Sequence, residues 1–278
     1  GDLNDDGVED FAFGAPYAVP PGSGLYWVGA VFVFWGKYSW SASSWPSLSS
    51  LPDVKRGVII FGSVENQHLG QWIRGGGCDF NNDQINDVLI GSRYSSISAV
   101  FVVFGRHKTE QWTSTLHVST LNGVNGFKIV HGSSSSLWGD YFGWNGVECV
   151  KDFNRDGFDD ILISDYRKST VALVYGHSSS WTAQLDLSSA GSTEMTIFQT
   201  NKSSATLGSS IGSLDLNLDG NVDLVIGDYF GESMRGYVHV IWGGRQTLKG
   251  TNVLPVNSTD QGCFFKGPSY SWYGYSFA

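Results

Sequence analysis

Four copies of one acidic segment carry the clearest chemical signal in this sequence. Each copy has Asp, Asn, Asp and Asp at its first, third, fifth and ninth positions, and successive copies start 77, 73 and 63 residues apart. Carboxylates packed this closely repel one another at neutral pH unless a counter-charge is present. The copies are DLNDDGVED (Asp2–Asp10), DFNNDQIND (Asp79–Asp87), DFNRDGFDD (Asp152–Asp160) and DLNLDGNVD (Asp215–Asp223).

The spacing of these oxygen ligands predicts a metal site in each copy. Oxygens at alternate positions of a tight loop can converge on one hard cation, and the backbone carbonyl of the seventh position adds a ligand. Calcium accepts six to eight oxygens in irregular geometry, whereas magnesium demands a regular octahedron, so the pattern favours about four calcium ions. The alternative is four Asx-rich turns without metal. The predicted ligands are Asp2, Asn4, Asp6, Val8, Asp10, Asp79, Asn81, Asp83, Ile85, Asp87, Asp152, Asn154, Asp156, Phe158, Asp160, Asp215, Asn217, Asp219, Asn221 and Asp223.

The sixth position of each copy indicates a sharp turn. Glycine occupies it in three copies, as Gly7, Gly157 and Gly220, and glycine adopts a left-handed backbone without steric cost. Gln84 takes this place in the second copy, where a left-handed conformation costs about 1 kcal/mol. We therefore expect the second loop to bind its ion most weakly.

A β-hairpin, and not a helical calcium loop, should carry each copy. EF-hand loops end in an acidic residue at position twelve. Here each loop runs directly into an apolar strand pattern: FAFGAP, VLIGS, ILISD or LVIGD. The residues at position twelve are apolar, namely Phe13, Ile90, Ile163 and Ile226.

Each repeat contains further strand patterns. A second strand ends in glycine (GAVFVFWG, SAVFVVFG, STVALVYG, GYVHVIWG), and a third follows a connector rich in Ser and Trp (GVIIFG, GFKIVHG, EMTIFQT, GCFFKG). A fourth precedes each later loop (LGQWIRGGGC, FGWNGVECV, LGSSIGSL). Four short strands in each repeat of this length are typical of a β-propeller blade. The predicted fold class is therefore all-β.

With these motifs the chain resembles the FG-GAP repeat family, the units of the integrin alpha-subunit β-propeller. The order FG, acidic loop, apolar strand is complete from Phe142 to Asp160, and the GAP element stands at Gly14–Pro16. The other copies read GSR, SDY and GDY at the GAP positions. The connectors look most like tandem FG-GAP repeats in surface proteins of bacteria and protists. The resemblance implies calcium at one rim of the propeller and a role in adhesion and recognition outside the cell.

The two ends of the chain suggest how the repeats are divided. The last residues, SWYGYSFA (Ser271–Ala278), match the strand that precedes a loop, and the first loop has no such strand. We predict a four-bladed ring in which Tyr273–Phe277 pairs beside Phe11–Gly14, which removes an open sheet edge. The alternative is a slice of a longer propeller of perhaps seven blades. The single predicted domain, 1–278, has blade 1 at 273–278 plus 1–68, blade 2 at 69–141, blade 3 at 142–206 and blade 4 at 207–272.

Composition and the absence of catalytic motifs narrow the function. The net charge of −9 argues against nucleic acid as a partner, and no apolar run is long enough for membrane insertion. The six histidines are scattered, and no G-x-S-x-G or phosphate-binding loop occurs. The paired acids Asp159 and Asp160 could suggest a glycosidase, but their place in a repeated metal pattern disfavours that reading. We therefore expect no enzyme activity.

Two kinds of modification fit a location outside the cell. Cys78 and Cys149 precede their loops on equivalent strands, so a disulfide between neighbouring blades is one reading and two small buried apolar residues the other. Asn201 and Asn257 head N-x-[ST] sequons in connectors, which makes them candidate glycosylation sites of a glycoprotein.

Three function classes remain open. The first is a non-catalytic extracellular or cell-surface module for adhesion or assembly, whose partners are other proteins or further copies of itself. The second is a lectin-like binder of glycans, because 11 Trp and 12 Tyr could offer stacking platforms. The third and most distant is an enzyme on a calcium-stabilised scaffold.

Overall fold

A computed structural model provides the architecture. It describes residues 1–38, 53, 55–93, 98–131, 141–143, 146–177, 180–191, 193–202, 205–244, 248, 250–255 and 260–276. These residues form eighteen strands, one short α-helix, α1 (Gly231–Met234), and one 3₁₀ helix (Val118–Thr120). No helix among them is long and apolar enough to cross a membrane. The strands are β1 (Phe11–Ala15), β2 (Ala30–Phe34), β3 (Gly57–Phe61), β4 (Trp72–Cys78), β5 (Asp87–Ser92), β6 (Ala99–Val103), β7 (Thr115–His117), β8 (Gly126–Val130), β9 (Val147–Val150), β10 (Asp160–Asp165), β11 (Thr170–Val174), β12 (Gln184–Asp186), β13 (Met195–Thr200), β14 (Leu207–Leu214), β15 (Asp223–Asp228), β16 (Tyr237–Ile241), β17 (Gly250–Leu254) and β18 (Gly262–Lys266).

The strands assemble into four sheets of four or five strands, and none of the sheets closes into a barrel. The first sheet has the order β1-β2-β3-β7 and the second β4-β5-β6-β8-β12. The third sheet has the order β9-β10-β11-β13-β17 and the fourth β14-β15-β16-β18. The all-β class and the strands predicted from the four repeats are therefore confirmed.

Consecutive strands of each repeat pair antiparallel, which places the second strand of the later sheets between two neighbours. Every residue of β5, β10 and β15 is buried, because these strands are paired on both edges and covered on both faces. Their runs of Val, Leu and Ile are typical of strands that are buried on both faces. By contrast β1 ends its sheet and is partly exposed.

Short outer strands extend three of the sheets. β7 pairs parallel with β3, and β17 pairs parallel with β13. β12 follows β8 at the edge of the second sheet. These strands come from segments that the sequence analysis treated as connectors or did not assign, and their three to five residues are too few for a clear alternating pattern.

The chain divides into two compact units. The first comprises Gly1–Asp79, Asp83–Val130 and Ser179–Leu185, and the second comprises Phe80–Asn82, His131–Ser178 and Asp186–Ala278. The core of the first unit includes Val33, Ile60 and Ile90. The core of the second includes Leu162, Leu173 and Ile226. Each core is therefore built from the central strands of two sheets.

The expected strand beside β1 is not found in the described part of the chain. There β1 pairs with β2 alone. Tyr273 forms a parallel bridge with Gly236, and the Gly274 carbonyl accepts hydrogen bonds from the hydroxyls of Ser209 and Ser210. These bonds hold the segment, up to residue 276, against the fourth sheet. The pairing beside Phe11–Gly14, within one chain or between chains, stays a prediction. Phe277 lies outside the described residues.

The cysteines divide into two states. Cys78 and Cys149 are disulfide-bonded, and Cys263 is a free thiol. Burial raises the pKa of the Cys263 thiol, so the neutral form is favoured.

Candidate metal centre

The four acidic loops occupy equivalent places in the four sheets. Three of them join the first strand of a sheet to the second, and their ninth residues, Asp87, Asp160 and Asp223, begin β5, β10 and β15. The first loop leads directly into β1. Each loop is therefore anchored at its ninth position by a strand.

The aspartate at position one closes the loop through backbone hydrogen bonds. In the third loop Asp152 accepts the amide of Asp156 on one oxygen at 2.8 Å and the amide of Gly157 on the other at 3.0 Å. The same two bonds recur at Asp2, Asp79 and Asp215 over 2.8–3.1 Å. The carboxylate is thus fixed at the mouth of a tight turn.

The side-chain oxygens of the third and fifth positions accept hydrogen bonds from backbone amides two residues later in the loop. The Asn154 side-chain oxygen accepts the Asp156 amide at 3.1 Å, and Asp156 accepts the Phe158 amide at 3.0 Å. The fifth residue accepts this last bond in all four loops. A carboxylate oxygen that accepts one amide bond keeps a second lone pair for a cation.

The ninth-position aspartates are buried and tie each loop to the end of a neighbouring strand. Asp160 accepts the Phe153 amide at 2.9 Å and the Gly176 amide at 3.0 Å. Asp10 makes the equivalent bonds to Leu3 and Gly36, both at 2.8 Å. Burial raises the pKa of Asp160 to about 8 and of Asp10 to about 6, although the two backbone hydrogen bonds act in the opposite direction. Without a nearby cation these carboxylates therefore resist ionisation.

Two positions in every loop have left-handed backbone. The sixth position has φ of 85°, 69°, 93° and 84° in chain order, which confirms the prediction for Gly7, Gly157 and Gly220 and for the strained Gln84. The fourth position is also left-handed, at Asp5, Asn82, Arg155 and Leu218. The sequence analysis missed this second turn. Asp and Asn tolerate the conformation and could have signalled it in two copies, but Arg and Leu could not.

The predicted ligand carboxylates of loops one, three and four lack cationic partners. Among the described residues, none of these nine aspartates forms an ion pair with Lys or Arg. Acids outside the ligand pattern do find partners, since Asp159 pairs with Lys151 at 2.6 Å and Asp5 lies 3.3 Å from His107. These nine positions thus bring acidic groups together without a direct ion pair to Lys or Arg among the described residues.

The oxygen ligands offered by each loop are of the type that a hard divalent cation binds. Each loop offers carboxylate, amide and carbonyl oxygens, which are the ligands that calcium prefers. In their present positions, the His, Cys, Asp and Glu side chains of the described residues form no group of three or more that could hold a metal. Binding would therefore require the carboxylates to converge further, while the backbone turns are already formed.

Neighbouring loops are linked within each unit. In the first unit the Leu3 carbonyl accepts the Arg106 amide at 2.8 Å, and the Asp2 amide donates to the Asn86 side chain at 2.8 Å. In the second unit the Phe153 carbonyl accepts the Gly244 amide at 2.8 Å. A displacement of one loop would therefore disturb its hydrogen bonds to the neighbouring sheet of the same unit.

One of the two predicted glycosylation sites lies in the described part of the chain. Asn201 is exposed after β13, where a glycan could be accommodated. Asn257 lies outside the described residues.

Comparison with known proteins finds a distant similarity to a curated enzyme. No family model matches the chain. Over 248 residues it is 26% identical to a phosphatidylinositol-glycan-specific phospholipase D of Dictyostelium discoideum, and the match covers 78% of this chain. The chain spans about a quarter of that relative, since 24% of the relative is covered.

Proposed function

We propose that this chain is an FG-GAP-type propeller module that binds calcium and acts without catalysis in adhesion or structural assembly. The observation that carries the proposal is the fourfold recurrence of one loop geometry, in which the aspartates at positions one and five accept the same backbone hydrogen bonds in every copy. In each loop the residues that would hold the ion are those at positions one, three, five, seven and nine. A bound calcium ion would supply the missing positive charge and cross-link both ends of the loop.

The sheet topology supports the propeller part of the proposal. In all four sheets the strand after the acidic loop (β1, β5, β10 or β15) begins a run of three strands that pair antiparallel in succession. Some outer strands come from segments that follow the other strands of their sheet in the chain, as β7 does beside β3. Such strands would link one blade of a propeller to the next. A ring of four blades, or four blades of a larger ring, would satisfy this pattern.

A location outside the cell is consistent with the disulfide-bonded cysteines and with the proposed calcium binding. Disulfides such as those of Cys78 and Cys149 persist in oxidising compartments. Extracellular calcium is abundant enough to saturate sites of modest affinity. We therefore propose other extracellular proteins or further copies of this chain as partners.

A lectin-like function is the second candidate, because exposed aromatic side chains cluster in the first unit. Trp27 is 52% exposed, and its ring lies 6.3 Å from the ring of Tyr17 at 85°. The Tyr17 ring also lies 5.1 Å from His68. An exposed indole can stack on the apolar face of a sugar ring.

The similarity to a phospholipase D motivates a third candidate. The relative is named for action on phosphatidylinositol-glycan, and this chain matches about a quarter of it without a recognised catalytic motif. The chain would then be a non-catalytic module of a larger enzyme. Assay of the isolated chain against a glycosylphosphatidylinositol substrate should show no cleavage.

Two binding experiments separate these candidates. Analytical ultracentrifugation with calcium and with chelator should reveal calcium-dependent self-association if the chain is an assembly module. A glycan array under the same two conditions should remain blank in that case. Binding to the array that is lost in a Trp27→Ala variant would favour the lectin instead.

A further inference from the structure

An open recess beside the first acidic loop is lined by three lysines. It has a volume of about 430 Å³ and belongs entirely to the first unit. Lys37 follows β2, Lys55 precedes β3 and Lys108 follows β6, so three separate segments bring ammonium groups to one place. The chain as a whole carries a net charge of −9, which makes this local excess of positive charge unusual.

Two of these lysines are available to a ligand. Lys55 and Lys108 are exposed, and neither forms an ion pair with a residue in the described part of the chain. An ammonium group brings three hydrogen-bond donors and no acceptor. The recess therefore offers several donors that an acceptor-rich ligand could satisfy.

The lining of the recess includes an aromatic side chain with an unused donor. Trp112 is buried, and its indole N–H has no hydrogen-bond partner in the described part of the protein. Its ring packs 5.4 Å from Trp35, and the Arg106 guanidinium lies over it at 4.5 Å from the ring centre. Arg106 thus places a further positive charge against Trp112.

Two carboxylates also line the recess and oppose the binding of an anion. They belong to Asp6, at position five of the first loop, and to Glu110. A calcium ion in the first loop would neutralise Asp6 and leave the lysines dominant. To this extent the inference rests on the proposed function, and it predicts that calcium strengthens the binding of an anion here.

We propose that this recess binds the phosphate or sulfate group of a small ester. The exposed ammonium groups of Lys55 and Lys108 beside an open cavity match a compact oxyanion with several acceptor oxygens, and the charge-assisted hydrogen bonds would be stronger than neutral ones. The cavity is large enough for the group that carries the oxyanion. The site is distinct from the exposed aromatic cluster of Trp27, which lacks such a set of lysines.

Isothermal titration calorimetry with glucose 6-phosphate, glucose 6-sulfate and glucose tests the proposal. We expect both esters to bind and glucose not to bind, and the preferred ester identifies the type of oxyanion. The double variant Lys55→Gln/Lys108→Gln should weaken binding at least tenfold, whereas Lys168→Gln, an exposed lysine of the second unit, should leave it unchanged. Circular dichroism should show that both variants are folded.

Calcium and chelator arms separate this inference from the proposed function. Weaker ester binding in chelator supports the coupling to the first loop. If metal analysis finds no bound calcium but the esters still bind through the lysines, the recess is supported and the calcium proposal fails. Absence of ester binding at millimolar concentration in protein that holds calcium, or binding that both lysine substitutions leave intact, would overturn the inference.

Discussion

Backbone strain at single residues distinguishes the second acidic loop from the other three. Gln84 has φ of 69° at a position where the other loops have glycine. Replacing it by glycine removes a steric cost of about 1 kcal/mol. Gln84→Gly should therefore raise the free energy of unfolding by about that amount, as measured by urea denaturation in chelator.

The reverse substitution in the third loop is the matched control. Gly157 has φ of 93°, and a side chain added there would meet no atom within 4 Å. Gly157→Gln should consequently lower stability by about 1 kcal/mol through backbone strain alone. Equal stability of both variants and the wild type would show that the sixth position carries no strain.

The ninth position should be the most sensitive ligand. Asp10→Asn removes one acceptor oxygen, so one of the amides of Leu3 and Gly36 faces an NH₂ group, at a cost of about 1–3 kcal/mol. The variant should also lose one calcium ion. Asp5→Asn removes the same charge from a position outside the ligand set, and it should keep all ions with a stability change below about 1 kcal/mol. Calorimetric unfolding and metal counting check both results.

Among the strand elements, β16 contains a buried ionisable group. His239 is 2% exposed, and neither ring nitrogen has a hydrogen-bond partner among the described residues. Burial, with a smaller contribution from the positive charge of Lys202, lowers the pKa of His239 to about 4. The unfolded chain has the ordinary value of 6.5 and binds the proton first as the pH falls. The stability is therefore complete above pH 6.5 and decreases towards pH 4, by about 3 kcal/mol in total.

The variant His239→Phe isolates this effect. Phenylalanine can keep the contact with the Tyr237 ring, which lies 5.7 Å from that of His239. The loss of stability between pH 6.5 and pH 4 should shrink by about 3 kcal/mol relative to the wild type. The control variant His117→Phe, at an exposed position, should show the wild-type dependence of the free energy of unfolding on pH. The same dependence in all three proteins would contradict the assignment of the effect to His239.

The turn before β2 requires the backbone at Gly29 to lie close to the backbone at Leu69. Gly29 has φ of 84°, and a Cβ added there would lie 2.2 Å from the Leu69 amide nitrogen. Gly29→Ala should therefore lower the thermal midpoint by several degrees through clash and strain together. Gly22→Ala has the strain without the clash, since nothing lies within 4 Å of that position. The difference between the two variants measures the cost of the clash.

The sequence predicts the elements that have long apolar patterns and misses those that depend on tertiary pairing. Runs such as VLIGS and ILISD mark β5 and β10, because strands buried on both faces need continuous apolar residues. The short outer strands β7 and β12 have three residues each and form only where an edge receives them. Arg155 and Leu218 adopt a left-handed turn that their residue types do not favour, so local propensity could not reveal it.

At the scale of the whole molecule, calcium would link charge to stability. Four ions would add eight positive charges to a net charge of −9. A ligand that binds only the native state stabilises it, by about 2.7 kcal/mol for each site at a concentration one hundred times its dissociation constant. Chelator should therefore lower the thermal midpoint sharply at low ionic strength. An unchanged midpoint would mean that the loops contribute no metal-dependent stability.

Native mass spectrometry of the chain in about 10 mM calcium tests the central claim most directly, because this concentration lies above the dissociation constants of extracellular calcium modules, which are about 0.1–1 mM. We expect four ions per chain, and we expect the second loop to lose its ion first as the calcium concentration is lowered. We further expect three ions in the Asp10→Asn variant and four in Asp5→Asn. A wild-type chain that carries no calcium under these conditions would contradict the account.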